Sequence, residues 1–319
     1  MIIQDRVYKT VSLEEPVLEE LIGSPSLNRL KDVSQYGIPD KYYCYKNLNR
    51  YEHSVGVMLL LRRLNRPLKE QIAGLLHDVS IFAFSHVADW LFGGGKSGNE
   101  DYHDSLHDKF IHQSEIPQIL TKYGFLEEDV TDITKFSVLD TEIPNLCADR
   151  VDYAFREFDN WIKNHELIEK CLPAITVDKE MMVFNDIEAA FVFASSFLRL
   201  QVGNYGAPEP IRRYQLFSNA LRQAMDLGIF VEKDFYDGET PILQKLESCK
   251  DEKIQTNLEI LKNPEFPYVS HGEKIIKKFR HVDPLVLIGR DAKKLSNLKP
   301  GFGETLSRYR EENKLGVEV

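Results

Sequence analysis

The sequence predicts a mainly α-helical protein with minor β structure, and three observations lead there. From Arg50 to Asp89 the apolar residues recur at helical spacing. Val57, Leu60, Leu61 and Leu64 fall four, seven, eight and eleven residues after His53, and Ile72, Leu75, Leu76 and Val79 form a second stripe. Phe184 to Gln201 and Pro210 to Leu227 are longer patterns of the same kind. Strand signals are few, confined to the stretches AITVDKEMMVF and VDPLVLIG.

Taken in order, residues 13 to 35 read as two short helices separated by Gly23-Ser24-Pro25-Ser26, with a serine cap and a proline in the first turn of the second. Tyr36 to Asn49 is an aromatic loop. Pro67 stands near the start of the helix that follows His53, where proline is tolerated, and His77 and Asp78 fall in that helix's last turn. Ser85 is placed to cap a short helix, SHVADWLF, which sets His86 and Asp89 one turn apart and stops at Gly93-Gly94-Gly95. That glycine run lacks the spacing and the preceding strand of a phosphate loop, so it reads as a surface loop. Residues 103 to 135 give short helices interrupted by Pro117 and Gly124. A helix from about Pro144 to Asn160 carries Asp149, with Leu146, Val151, Ala154, Phe155 and Phe158 on its apolar side. AITVDKEMMVF reads as a β-hairpin around Asp178-Lys179, and VGNYGAPEP, with two glycines and two prolines, breaks the chain between the two long helices. Two further helices fill residues 240 to 262, and VDPLVLIG is a short strand. The most basic window, Lys274 to His281, reads as a solvated helix face with no functional weight beyond an anion contact.

At 319 residues and 43% hydrophobic, the chain can bury a core as one large domain or two packed ones. A net charge of −10 argues against broad nucleic-acid binding, which needs a basic footprint. The four cysteines, Cys44, Cys147, Cys171 and Cys249, form no C-x-x-C pair, so neither a zinc knuckle nor a disulfide framework is indicated. The N-terminal MIIQDRVYKT has no signal-peptide pattern, and nothing approaches the roughly 18 apolar residues of a membrane span. A cytoplasmic protein without a membrane partner is expected.

The chemistry gathers around His53 and the pair His77-Asp78. An imidazole and a carboxylate side by side among leucines are costly to bury unless something compensates them, and a metal ion does. Asp149, on its own amphipathic helix, is the candidate fourth ligand. Taken singly, each of the four favours the reading as a satisfied buried polar residue; together, in this order and context, they favour a divalent metal. Mixed imidazole and carboxylate donors suit Mg, Mn, Fe, Co, Ni or Zn and do not choose among them. Tyr153 and Glu157 lie four and eight residues after Asp149, on the same helical face, and are candidates to line a pocket there.

In its order His, His-Asp, Asp the sequence resembles the HD-domain metal-dependent phosphohydrolase superfamily, and in particular its deoxynucleoside triphosphate triphosphohydrolase branch. LIGSPSLNRLKDVSQYG and NRYEHSVGV are similar to the approach to the first metal motif, HDVSIFAFSHVAD to the central motif, YHDSLHDKF to the following His-acidic motif and ADRVDYAFRE to the last. The likeness covers roughly the first half of the chain. It implies a helical HD-domain bundle over residues 1–165, including the N-terminal helices, with a helical C-terminal region over 166–319 packed on it. It implies metal ligation by His53, His77, Asp78 and Asp149, and substrate contact and proton transfer by His86, Asp89, His103 and Asp104. Arg50 matches a phosphate-binding arginine and Tyr153 a sugar-contacting tyrosine, beside Glu157. The expected partner is a small phosphorylated substrate, a nucleotide in the family's terms; a homo-oligomer stays open.

One position departs from the pattern. The central motif usually reads H-D-x-x-H, and Ile81 stands at its second histidine, where it can offer no polar contact. Three functions follow. The first is hydrolysis of a dNTP to deoxynucleoside and triphosphate by attack of water on phosphorus. The second is phosphatase or phosphodiesterase action on another ester through the same site, and the third a nucleotide-binding regulatory protein with reduced turnover.

Overall fold

A computed structural model describes residues 1–43, 48–92, 106–263, 266, 272 and 274–318. The chain opens with an antiparallel hairpin, β1 (Ile2–Asp5) and β2 (Lys9–Ser12), and two short helices, α1 (Pro16–Ile22) and α2 (Pro25–Arg29). Ser24 caps α2 as its sequence position indicates, its hydroxyl accepting from the Leu27 amide. The long helix α3 (Arg50–Arg63) starts at Asn49, whose side chain accepts from the Glu52 amide at 2.8 Å; Glu52 lies in its first turn and Arg62 and Arg63 in its last, as the helix dipole favours. It packs along α4 (Leu68–Leu76), which follows Pro67 and ends at His77, so the His77-Asp78 pair sits just past the helix rather than within its last turn.

Next come α5 (Ser85–Phe92), α6 (His107–Gln113) and α7 (Ile116–Lys122). Pro117 occupies the first turn of α7 and starts that helix instead of interrupting one, because its missing N–H would have had no intrahelical partner. Helix α8 (Ala148–Asn160) begins later than the sequence suggests. The Ala148 and Asp149 amides donate to the Val138 and Leu139 carbonyls, so the preceding loop satisfies the donors that the helix start leaves open.

After α9 (Glu166–Cys171) come β3 (Ile175–Asp178) and β4 (Met181–Phe184), the expected hairpin, turning on Lys179 and Glu180 with φ of 47° and 60°. Then follow α10 (Ile187–Leu200), α11 (Pro208–Asp226), α12 (Glu239–Ser248) and α13 (Glu252–Lys262). The VGNYGAPEP stretch is not a simple break. Gln201–Tyr205 continues α10 as a π-helical turn, closed by the Gly206 amide donating to the Gln201 carbonyl at 2.7 Å, and only then does Pro208 open α11.

The chain ends with β5 (Lys274–Ile275), β6 (Leu285–Ile288), β7 (Asp291–Lys294), α14 (Leu295–Leu298), α15 (Pro300–Lys314) and β8 (Val317–Glu318). Strand β6 adds in parallel to β4 and antiparallel to β7, giving a four-stranded sheet ordered β3-β4-β6-β7, and β5 pairs with β8. The basic window Lys274 to His281 is therefore not a helix. Its burial alternates, Ile275 and Lys277 inward with Ile276 and Lys278 outward, as in extended chain, and the Asn313 side chain of α15 holds the Lys277 carbonyl at 2.9 Å.

The larger apolar cluster draws on α1, α3, α4, α8, α10 and the four-stranded sheet; a second joins α5, α11, α12 and α13 with the aromatic loop. Gly56 lets α3 and α8 meet: a Cβ there would stand 2.0 Å from Arg156 Nη2 and 2.2 Å from Asp152 Oδ1. Among the described residues no helix is long and apolar enough to cross a membrane.

Candidate metal centre and the cavity beside it

Helix α3 presents His53 inward on its buried stripe, with 1% of its surface exposed, the end of α4 presents His77, and the first turn of α8 presents Asp149. One ligand atom from each of these three lies within 4.8 Å of the other two. His53 Nε2 is 3.0 Å and His77 Nε2 3.7 Å from Asp149 Oδ1. Asp78, the fourth expected ligand, borders the group: its Oδ2 lies 3.6 Å from His77 Nε2 and 3.8 Å from His53 Nε2, and accepts from Arg50 Nη1 at 2.6 Å.

The hydrogen bonds on the far sides of both imidazoles set which nitrogen faces inward. His77 Nδ1 donates to the Gly74 carbonyl at 2.8 Å, and His53 Nδ1 to Asp152 Oδ2 at 2.8 Å, which leaves each Nε2 as the atom available to a cation. His77 Nε2 is buried with no hydrogen-bond partner among the described residues. An orphaned imidazole nitrogen among two carboxylates and a second imidazole fits a divalent ion, since such an atom is otherwise costly to bury.

The groups compensate one another's charge. Burial pushes His77 down, but Asp78 and Asp149 outweigh it and hold it up at about 9; His53 is raised against its burial by Asp149 and Asp152. Burial pushes Asp78 up, and His77, Arg50 and His53 together hold it well below the usual carboxylate range; the two histidines do the same for Asp149. The protons held here are those that a bound cation displaces.

Asp152 is the residue that the sequence reading missed. It is fully buried and accepts from His53 Nδ1, from Tyr8 Oη at 2.9 Å and from Arg156 Nε at 2.8 Å, while Arg156 reaches on to Asp5 Oδ2 at 2.9 Å. The available signal was its place three residues after Asp149, together with the rule that a ligating histidine is oriented by a carboxylate. The Ser85 hydroxyl, expected as a helix cap, instead accepts from Arg50 Nε at 3.1 Å and donates to the Ser34 carbonyl at 2.5 Å, which fixes the arginine.

Beside these three candidate ligands lies a cavity of about 690 Å³, counting the part open to solvent. Tyr153 and Glu157 line it, as their helical face indicated, and the Tyr153 ring centroid is 6.4 Å from that of His53. His86 lines it too, its Nε2 3.5 Å from Arg50 Nη2. Burial pushes the Glu157 carboxyl up to about 8, and Asn204 Nδ2 donates to its Oε2 at 3.2 Å. Lys277 and Arg280 close another part of the wall, the Lys277 ammonium lying 4.9 Å from the Trp90 ring centroid. Neither cation was expected here. The Asp89 side chain, His103 and Asp104 lie outside the described residues. Ile81 is 1% exposed, belongs to the larger apolar cluster and is not among the residues lining the cavity. Of the arginines in the second half, Arg213 is committed to Glu209 and to the Tyr42 and Leu261 carbonyls, while Arg199 lies at a different cavity.

Comparisons with known proteins bear on this geometry. A family model described as the HD domain matches residues 50–166. The chain is 34% identical over 298 residues to the uncharacterized protein YdhJ of Bacillus subtilis, covering 90% of this chain and 89% of that protein. It is 28% identical over 240 residues to the metal-dependent phosphohydrolase cns2 of Cordyceps militaris, covering 73% and 69%. It is 30% identical over 152 residues to the deoxynucleoside triphosphate triphosphohydrolase SAMHD1 of Gallus gallus, covering 40% of this chain and 24% of that protein.

Proposed function

Since the chain belongs to the HD-domain family and is a metal-dependent phosphohydrolase, we propose that its substrate is a deoxynucleoside triphosphate, hydrolysed to deoxynucleoside and inorganic triphosphate. The observation that carries the reading is the cavity beside His53, His77 and Asp149, which combines tyrosine rings, a carboxyl that burial pushes up to about 8 and two cations. Tyr rings suit a sugar or base, and Lys277 and Arg280 suit a polyphosphate tail. The similarity to SAMHD1 supports the same class.

In this reading His53, His77 and Asp149, with Asp78 beside them, hold a divalent ion. When bound, such an ion activates water and polarises a phosphoryl oxygen. Asp152 keeps the His53 ring oriented, and Arg50, held by Asp78 and Ser85, presents its guanidinium to the phosphate. Water adds to the α-phosphorus, the bond to the sugar 5′ oxygen breaks, and His86 donates the proton that the leaving alkoxide needs. Asp89, His103 and Asp104 are proposed to complete that proton path. Glu157, protonated at neutral pH, donates to a sugar oxygen beside Tyr153.

Product analysis tests the proposal. The purified protein is loaded in turn with several divalent ions and given a panel of dNTPs. Inorganic triphosphate with free deoxynucleoside is the expected result. Stepwise orthophosphate, or turnover only of non-nucleotide esters, overturns the nucleotide reading and leaves the second expectation, a phosphatase built on the same centre. Binding without turnover would instead favour the regulatory reading.

A further inference from the structure

The π-turn Gln201–Tyr205 has two faces. Asn204 and Tyr205 line the cavity beside the metal centre, while Val202 and Gly203 line a second cavity, of about 980 Å³ counting its open part. The walls of the second cavity are aromatic. Trp161 comes from the end of α8, Phe191 from α10, and Phe302 and Tyr309 from α15, with the Phe191 and Phe302 rings edge to face at 6.2 Å. Arg199 is its only charged lining side chain; it is exposed and has no ion-pair or hydrogen-bond partner among the described residues. Among the described residues no carboxylate lines this cavity.

We propose that this second cavity binds a small planar aromatic anion, and that its occupancy is transmitted to the substrate cavity through the shared π-turn. Flat aromatic walls stack on a planar ring, and a lone guanidinium on the wall pairs with one acidic group. A nucleoside triphosphate matches the site poorly, because several negative charges would meet one arginine. The coupling follows from contact. A Cβ on Gly203 would stand 2.5 Å from Trp161 Cη2, so the indole rests directly on the turn's backbone. On the turn's other face Asn204 holds both Glu157 and Tyr43, and the Gln201 side chain accepts from the Arg280 amide at 3.0 Å. A ligand that shifts Trp161 or Val202 therefore displaces groups that shape the substrate cavity.

The test needs no substrate, so its failure is distinct from failure of the proposed activity. The chain has two tryptophans, and Trp90→Phe leaves Trp161 as the sole tryptophan, excited apart from the tyrosines at the red edge of its absorption. The probe is 1-anilinonaphthalene-8-sulfonate, whose planar naphthalene ring carries one sulfonate. The expected result is saturable one-to-one quenching of Trp161, weakened about tenfold in Arg199→Gln and lost in Thr305→Phe, which puts a bulky ring on the cavity wall where the probe would stack. Hydrogen exchange over residues 153–160 and 201–207 should slow when the probe binds, and should not in Thr305→Phe. If Trp90→Phe does not fold, the difference in quenching between the parent protein and Thr305→Phe gives the same reading. Non-saturable quenching, or binding unchanged in Arg199→Gln, shows an adventitious additive only and overturns the site. Saturable binding with unchanged exchange over 201–207 overturns the transmission. Loss of binding as the protein self-associates assigns the cavity to a second copy of the chain and also overturns the proposal.

Discussion

Replacing Asp152 with asparagine keeps its shape and removes a negative charge from the point where three groups meet. The carboxylate accepts from His53 Nδ1, from Tyr8 Oη and from two nitrogens of Arg156, at 2.8 to 3.2 Å. An asparagine has one accepting oxygen, so one side of this arrangement faces an NH₂ group and loses its acceptor. Loss of a carboxylate that orients a ligating histidine lowers metal affinity about 10- to 100-fold, or roughly 1.4–2.7 kcal/mol. Removing one member of a buried ion pair costs roughly 3–5 kcal/mol, and because Arg156 keeps Asp5 the lower figure applies. Two measurements separate these effects: competition with a metal-chelating dye for affinity, and urea unfolding of the metal-free protein for stability. Asp5→Asn is the control, since Asp5 touches Arg156 but not His53; it should lower stability and leave metal affinity unchanged. Unchanged metal affinity in a folded Asp152→Asn protein would refute the orienting role.

Three further outcomes are expected. His77→Ala and Asp149→Ala each lose the bound ion while keeping their helical circular dichroism, and mass spectrometry finding the parent stoichiometry in both would show that the ligand set is wrong. Glu157→Gln flattens the pH dependence of stability: the carboxyl rises from 4.5 to about 8 through burial, so the folded state holds a proton that the unfolded chain releases, and stability present below about pH 4.5 is lost as pH climbs through about 8. Parallel melting-temperature profiles for the parent and Glu157→Gln would contradict that. Ile81→His places an imidazole in an apolar cluster and lowers stability by roughly 1–3 kcal/mol without raising turnover, read by urea midpoints and kinetics on one substrate panel; a variant as stable as the parent would show that position 81 faces the polar site.

The elements that converge on the candidate metal centre were legible because their signals are local. His53 shares a helical stripe with Val57, Leu60 and Leu61, His77 and Asp78 are adjacent, and Asp149 lies on a periodic helix, so periodicity and motif order together brought the candidate ligands into view. Asp152 carries no such mark, because its pairing with a histidine 99 positions away exists only once α3 and α8 pack, and that packing depends on a glycine at position 56. The basic window was misread for a related reason. A lysine buried against the faces of Trp90 and Tyr214 reads in sequence as a solvated charge, and the alternation of buried and exposed positions that marks extended chain is hidden when one buried position is Lys277. At VGNYGAPEP the glycines read as helix breakers, whereas Gly203 serves the close approach of Trp161 and the helical path runs on as a π-turn.

These misreadings share a location, and that has a functional consequence. The groups proposed to hold the ion, His53, His77 and Asp149, lie between residues 53 and 149, within the span of the HD-domain match, whereas much of the cavity wall comes from later in the chain: Asn204 and Tyr205 on the π-turn, Tyr214 on α11, Lys277 and Arg280 on the extended segment. In the proposed site, the parts that would hold the ion are set by local pattern, and the parts that would meet the rest of the substrate are set by how distant segments fold back over it. Proteins that share the match to residues 50–166 but differ after residue 200 should therefore share the hydrolytic chemistry and diverge in what they hydrolyse.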